Sequence, residues 1–241
     1  MYAGLTDVYG VLVALHILLT VSWLGVDAGV FIGSHMIRNR AYAPDARFLV
    51  SRLMGYLDLG PRLSVPLLFA VGLSLAYLGS WASMPAGVVV GFWGVALAWC
   101  LAIVYAFVLQ HRLEVAGLRE LSSGEHAWLR GYRRIDLWAR WVWVAAIVGA
   151  LLGGVFGLVV FKTTWLTWKV ALFGLVILVG NGLRLMPGTS SVAIMAEIHR
   201  LGSTPEREDA LYRRLSLTHP IVLTMYACVV ASVFLGVLKP G

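Results

Sequence analysis

The run VYGVLVALHILLTVSWLGVDAGVFIG, Val8 to Gly33, decides the fold. It exceeds the roughly 20 residues that an α-helix needs to cross a hydrocarbon layer. His16 and Asp27 are its only acidic or basic side chains. No basic segment precedes the run and no small-residue cleavage pattern accompanies it, so it reads as a retained helix and not a signal peptide. Its His16, Thr20, Trp23 and Asp27 follow each other by four, three and four residues. That spacing lays them along one helix face, with His16 and Asp27 about three turns apart.

Further runs of similar character follow at about Leu63–Gly79, Ala86–Leu109, Leu137–Phe161, Trp165–Met186 and Pro220–Leu238. The expectation is an all-α, polytopic membrane bundle of six transmembrane helices forming a single integral domain. Composition agrees: 60% of the 241 residues are hydrophobic and 13% charged, too much apolar surface for a soluble domain of this length. All 16 arginines fall within 38–62, 112–140, 184 and 200–214, whereas Lys162, Lys169 and Lys239 lie at the opposite ends of their helices. Basic residues are retained on the cytoplasmic side. Both termini are therefore expected outside the cytoplasm, in a bacterial-type inner membrane. The net charge of +7 follows this membrane asymmetry, and no nucleic-acid partner is read from it. Cys100 and Cys228 sit mid-run and suggest no disulfide framework.

The arginine-bearing connections look structured. Over 43–58, Phe48, Leu49, Leu53, Tyr56 and Leu57 gather near one face, as in a short amphipathic helix at the interface. Ser122-Ser123-Gly124-Glu125 has capping-box spacing. Thr204-Pro205-Glu206 opens a second helix, and Gly202 closes the one before it. Asp58 and Arg62 precede the second span, and Asp136 and Arg140 the fourth; each pair is spaced for an i, i+4 salt bridge. Ala145, Gly149, Gly153 and Gly157 recur every four residues, which predicts a close helix neighbour and a central or dimer-forming fourth span. Trp138, Trp141 and Trp143 fit an interfacial aromatic belt.

An ionisable group inside a bilayer costs at least ~2.5 kcal/mol on insertion scales, so each demands a reason. Two readings stand for His16 and Asp27. In one, the histidine donates to a neighbouring carbonyl and the aspartate pairs with an arginine, Arg62 or Arg140. In the other, both serve a ligand or a proton path. Lys169, one turn inside the fifth span, either snorkels to the headgroups or faces the interior. Asn181 and Arg184 close the same span. His35, His111 and His219 each end a helix on the arginine side, a common depth that allows either a metal or haem site or simple solvation.

Taken together, these residues carry a family resemblance. Leu15-His16-Ile17, then Trp23, Gly25 and His35, resembles the first helix of the HemJ-type protoporphyrinogen oxidases. Arg52-Leu53-Met54 with Pro66 and Gly72 is similar to that family's second helix. Trp165-Leu166-Thr167-Trp168-Lys169-Val170 resembles its W-L-H-x-K-L opening, and Tyr212-Arg213-Arg214-Leu215, Pro220 and Leu238-Lys239-Pro240 resemble its last helix. The order along the chain is the same. The resemblance covers core helices at about 8–36, 63–79, 165–186 and 220–238, leaving a helical hairpin at about 86–161 as an insertion. The opening helix is also similar to that of CopD-type copper-resistance membrane proteins.

The HemJ resemblance implies a haem b held by His16, with Lys169 as the matching functional lysine. Trp23 would then pack on the macrocycle, and Lys169, Asn181 and Arg184 would be cofactor-binding. Asp27 and Lys169 become the catalytic candidates of a haem-dependent oxidoreductase, with electron transfer or tetrapyrrole oxidation as its chemistry. Three positions depart from the family pattern: Ile32 replaces an arginine, Thr167 a histidine, and Gly180 or Asn181 a second histidine. The CopD resemblance implies transport of copper or another small cation. A membrane anchor or scaffold subunit is a third reading. The expected partners are the lipid bilayer, a second copy or a membrane redox protein.

Overall fold

The computed structural model describes residues 3–114, 123–152, 159–186 and 190–240. The described residues form eight helices: α1 (Ala3–Arg38), α2 (Pro44–Leu57), α3 (Leu59–Leu78), α4 (Ala86–Glu114), α5 (Ser123–Leu151), α6 (Thr164–Leu185), α7 (Ser191–Leu201) and α8 (Pro205–Leu238). Two-residue strands β1 (Ala82–Ser83) and β2 (Val160–Phe161) pair antiparallel. The strand pair was not anticipated. It joins the α3–α4 and α5–α6 connections at the lysine-bearing end, and Lys162 N–H donates to the Trp81 carbonyl beside it at 2.8 Å.

Among the described residues, five helical segments are long and apolar enough to cross a membrane: those at 7–38, 44–78, 86–110, 164–185 and 205–238. The expected sixth falls short among the described residues. The apolar part of α5 begins near Leu137 and the described helix stops at Leu151, while residues 153–158 lie outside the described set. Gly153 and Gly157 of the small-residue series lie there too.

Trp23 marks where the four core helices converge. It packs with Leu68 of α3, Val176 of α6, and Cys228 and Val229 of α8. Antiparallel neighbours hold this centre in register: Gly72 faces His16 and Gly60 faces Val26 between α3 and α1, while Gly180 meets Met225 and Gly236 meets Lys169 between α6 and α8. Helices α4 and α5 flank this core. Phe69, Phe92, Trp143 and Phe173, one from each of α3, α4, α5 and α6, form a contiguous ring cluster.

Of the two expectations for α5, central or dimer-forming, the central one is corrected within the chain. The helix packs on α6 through Ile147 against Gly174, and its Ala145 is exposed. Its tryptophans divide in the same way. Trp138 and Trp141 face outward and Trp143 turns inward, because a period of 3.6 cannot keep all three on one side.

At the arginine-rich end, α2, α7 and the first half of α8 close around Ile37, Met54, Met195, Ile198 and Leu211. Helix α2 is inverted relative to a soluble amphipathic helix. It buries Arg47 and Ser51 and leaves Leu49, Leu53 and Tyr56 exposed. An i, i+4, i+7 stripe of apolar side chains turned away from the protein suits a helix lying against lipid. Phe48 and Leu57 instead turn inward, onto His199 and Gly29. The helix boundaries follow the sequence signals. Thr204 caps α8 by accepting from Arg207 N–H, with Pro205 at the first position. Gly202 ends α7 at φ 86°, a left-handed conformation that favours glycine.

Candidate functional site

The α1 face set by His16, Thr20, Trp23 and Asp27 looks into the bundle. Thr20 spends its hydroxyl on the His16 carbonyl at 2.8 Å, a bond internal to the helix. His16 itself leans toward α3 where α3 has only a glycine: a Cβ at Gly72 would stand 3.7 Å from His16 Cε1. Its Nδ1 is buried and has no hydrogen-bond partner among the described residues. The expected donation from His16 to a neighbouring carbonyl is not made at Nδ1.

Lys169 reaches the same layer from α6. Its half-buried ammonium rests on Gly236 of α8, where a Cβ would come within 2.6 Å of Nζ, and its charge acts on the His16 ring. His16 and Lys169, separated by 153 positions, are thus brought together by the α1–α3 and α6–α8 pairings. Lys239 lies within electrostatic reach of Lys169 and sits over the Trp81 ring, 4.4 Å from its centroid.

Trp23, 5% exposed, forms the layer inward of His16. Asp27 lies one turn further in, about 6 Å along the helix. It faces Tyr226 of α8, whose hydroxyl is buried and electrostatically coupled to the carboxyl without meeting hydrogen-bond geometry. The expected pairing of Asp27 with Arg62 or Arg140 is corrected, because each arginine is held by an aspartate one turn before it. Arg62 bonds Asp58, and Arg140 Nε bonds Asp136 at 3.1 Å, the two i, i+4 bridges anticipated from spacing.

No family model, curated protein or solved structure matches this chain. The site is therefore read from its own geometry.

Asn181 and Arg184 do not join His16. They lie 12 and 15 residues beyond Lys169 on α6, about 18 Å and 22 Å along its axis. Arg184 Nη1 reaches Asp136 of α5 at 3.0 Å. Asn181 is wholly buried, and both its amide atoms lack partners among the described residues.

His35 and His219 do meet, but as a stack: their ring centroids are 4.4 Å apart and their planes 17° from parallel. His35 Nδ1 faces the Phe31 carbonyl at 3.0 Å, and His219 Nε2 faces the Ser34 hydroxyl at 2.8 Å. Imidazole lone pairs lie in the ring plane, so two stacked rings do not converge on one ion. No group of three His, Cys, Asp or Glu side chains gathers as a metal site among the described residues. The side chain of His111 lies outside them.

Sequence reasoning missed Tyr226 and Gly236, and took up Gly72 only as part of the family resemblance. Tyr226 sits in an apolar run and reads as a lipid-facing aromatic until α8 is laid beside α1. The two glycines carry no signal until the side chains that need their space are placed.

Proposed function

We propose that this chain is a membrane redox protein that takes a haem b in the layer of His16 and Lys169. One observation carries the reading: a buried imidazole nitrogen in a membrane bundle with no partner among the described residues, within electrostatic reach of a cationic side chain. A neutral imidazole is a good iron ligand, and an apolar, helix-lined interior suits a porphyrin. His16 would hold the iron, Lys169 would pair with a carboxylate of the group, and Trp23 would form the floor. Bound haem supplies one-electron chemistry. The chain's own contribution is to exclude water and to hold a proton at the Asp27 carboxyl beside Tyr226. A specific tetrapyrrole substrate draws no added support, since Ile32 is exposed and Thr167 donates to its own helix at the Thr163 carbonyl.

The arginine-rich end would face the cytoplasm of a bacterial-type cell, with both termini outside the inner membrane; the one-sided distribution of all 16 arginines supports this.

The test is the visible spectrum of detergent-purified protein, oxidised and dithionite-reduced, for the native chain and His16→Ala. A Soret band with reduced b-type bands, lost or shifted in the variant, is the expected result. A colourless protein from haem-replete cells would sink the proposal and leave transport and scaffold roles in front.

A further inference from the structure

Helices α3, α4, α5 and α6 meet around Asp136, which is 2% exposed. Both its oxygens are committed. Oδ1 accepts from the Trp99 indole at 2.9 Å, Oδ2 accepts from Arg140 Nε at 3.1 Å, and Arg184 Nη1 forms an ion pair with Oδ2 at 3.0 Å. Arg62, bonded to Asp58, lies within electrostatic reach of both Asp136 and Arg184. Among the described residues, three guanidinium groups thus share two carboxylates, which leaves one positive charge in surplus. Each guanidinium has five N–H donors. Among the described residues, Arg140 hydrogen-bonds an acceptor with only its Nε, and Arg184 meets one only through the Nη1 ion pair.

The second observation is Asn181. A buried amide left without partners costs about 1–3 kcal/mol, so a fold keeps one rarely and for a reason. Helix α6 runs antiparallel to α5, with Gly174 against Ile147 and Arg184 against Asp136. Continuing that register brings Asn181 opposite Arg140, one turn from Arg184 on its own helix. The unpartnered amide is therefore level with the unspent guanidinium donors.

The junction is also reachable. The Arg62 and Arg184 side chains are 39% and 36% exposed, whereas Phe69, Phe92 and Trp143 close the side toward the membrane centre.

We propose that this junction is a binding site for a phosphate-type oxyanion, gripped by Arg62, Arg140 and Arg184 with the Asn181 amide as a further donor. A tetrahedral oxyanion offers several acceptors to several guanidinium groups at once, and arginine forms such charge-assisted bonds in pairs. The site is separate from the His16 layer and does not depend on what His16 holds. The same chemistry has two sources, dissolved phosphate and the headgroup of an anionic phospholipid in the adjoining leaflet.

Delipidated protein would be melted with and without inorganic phosphate, against chloride at equal ionic strength. In parallel, protein from phosphatidylglycerol and phosphatidylcholine nanodiscs would be weighed by native mass spectrometry. A phosphate-dependent rise in melting temperature identifies a dissolved ligand. A retained phosphatidylglycerol adduct without that rise identifies a headgroup. Arg184→Gln is expected to weaken either signal about tenfold or more, the value of one charge-assisted hydrogen bond. Should Arg184→Gln fail to fold, Asn181→Asp decides, because it supplies a fixed negative charge in the site. The folded variant is expected to bind neither phosphate nor phosphatidylglycerol. No binding by the native protein in either arm overturns the proposal, as does an Asn181→Asp variant that binds like the native chain.

Discussion

Arg47 directs its donors entirely into the protein. Nε donates to the Ile37 carbonyl at 2.7 Å, and Nη1 and Nη2 donate to the two oxygens of Glu208 at 2.8 and 2.7 Å. Ser203 adds a third hydrogen bond to the same carboxylate. A buried, bidentate pair is costly to break from one side, about 3–5 kcal/mol, because the remaining charge stays buried without its partner. Glu208→Gln is therefore expected to lower unfolding stability by about that amount, read by thermal or denaturant melting in detergent. Glu208 precedes the apolar part of α8, and its bonds to Arg47 hold its carboxyl below the ordinary carboxylate range. A carboxyl depressed on folding stabilises in full above its unfolded value of about 4.3, and that contribution is lost as pH falls further, through the folded value. Melting the native protein and Glu208→Gln across acidic pH should show their difference shrinking below that point. None of this was legible in the sequence, since Arg47 and Glu208 are 161 positions apart and each reads as a solvated surface charge.

At the scale of elements, small residues decide which helices touch. A Cβ at Gly174 would stand 2.9 Å from Ile147 Cγ2, so α5 approaches α6 only because that position is bare. Gly174→Leu should push the two helices apart and weaken the Arg184–Asp136 bridge. The expected readout is a lowered melting temperature and faster hydrogen exchange in α5, with α1 and α8 unchanged; equal loosening of all helices would argue against this account. Helix existence was the most legible part of the chain, because long apolar runs and caps such as Thr204-Pro205 are local signals. So were the Asp58–Arg62 and Asp136–Arg140 bridges, whose spacing lies within a single turn. Helix partnership was not. Ala145 belongs to a small-residue series that predicts a central or dimer-forming span; within the chain it is exposed, and the glycine that admits α5 to this bundle lies on α6. In the candidate site, the inward face of α1 was readable from spacing alone. The approach of Lys169 to His16 was expected only through a resemblance, and Tyr226 not at all.

For the whole molecule, the separation of arginines from lysines gives an orientation that labelling can check. A cysteine at Ser80 should react in intact cells with a membrane-impermeant maleimide, and one at Arg200 only after lysis; the reverse pattern would invert the proposed topology. The native Cys228 is buried and Cys100 is partly so, which keeps background reaction low. The short pairing of Ala82 with Phe161 bears on how such a molecule moves. It fastens the α4–α5 hairpin to the α3 and α6 ends at the lysine side, while Asp136, bonded to Trp99, Arg140 and Arg184, fastens it at the other. Mechanically, the hairpin is a beam pinned at both ends. It cannot swing outward like a flap, and a tilt of α6 must be carried along its whole length instead of being taken up in a loop.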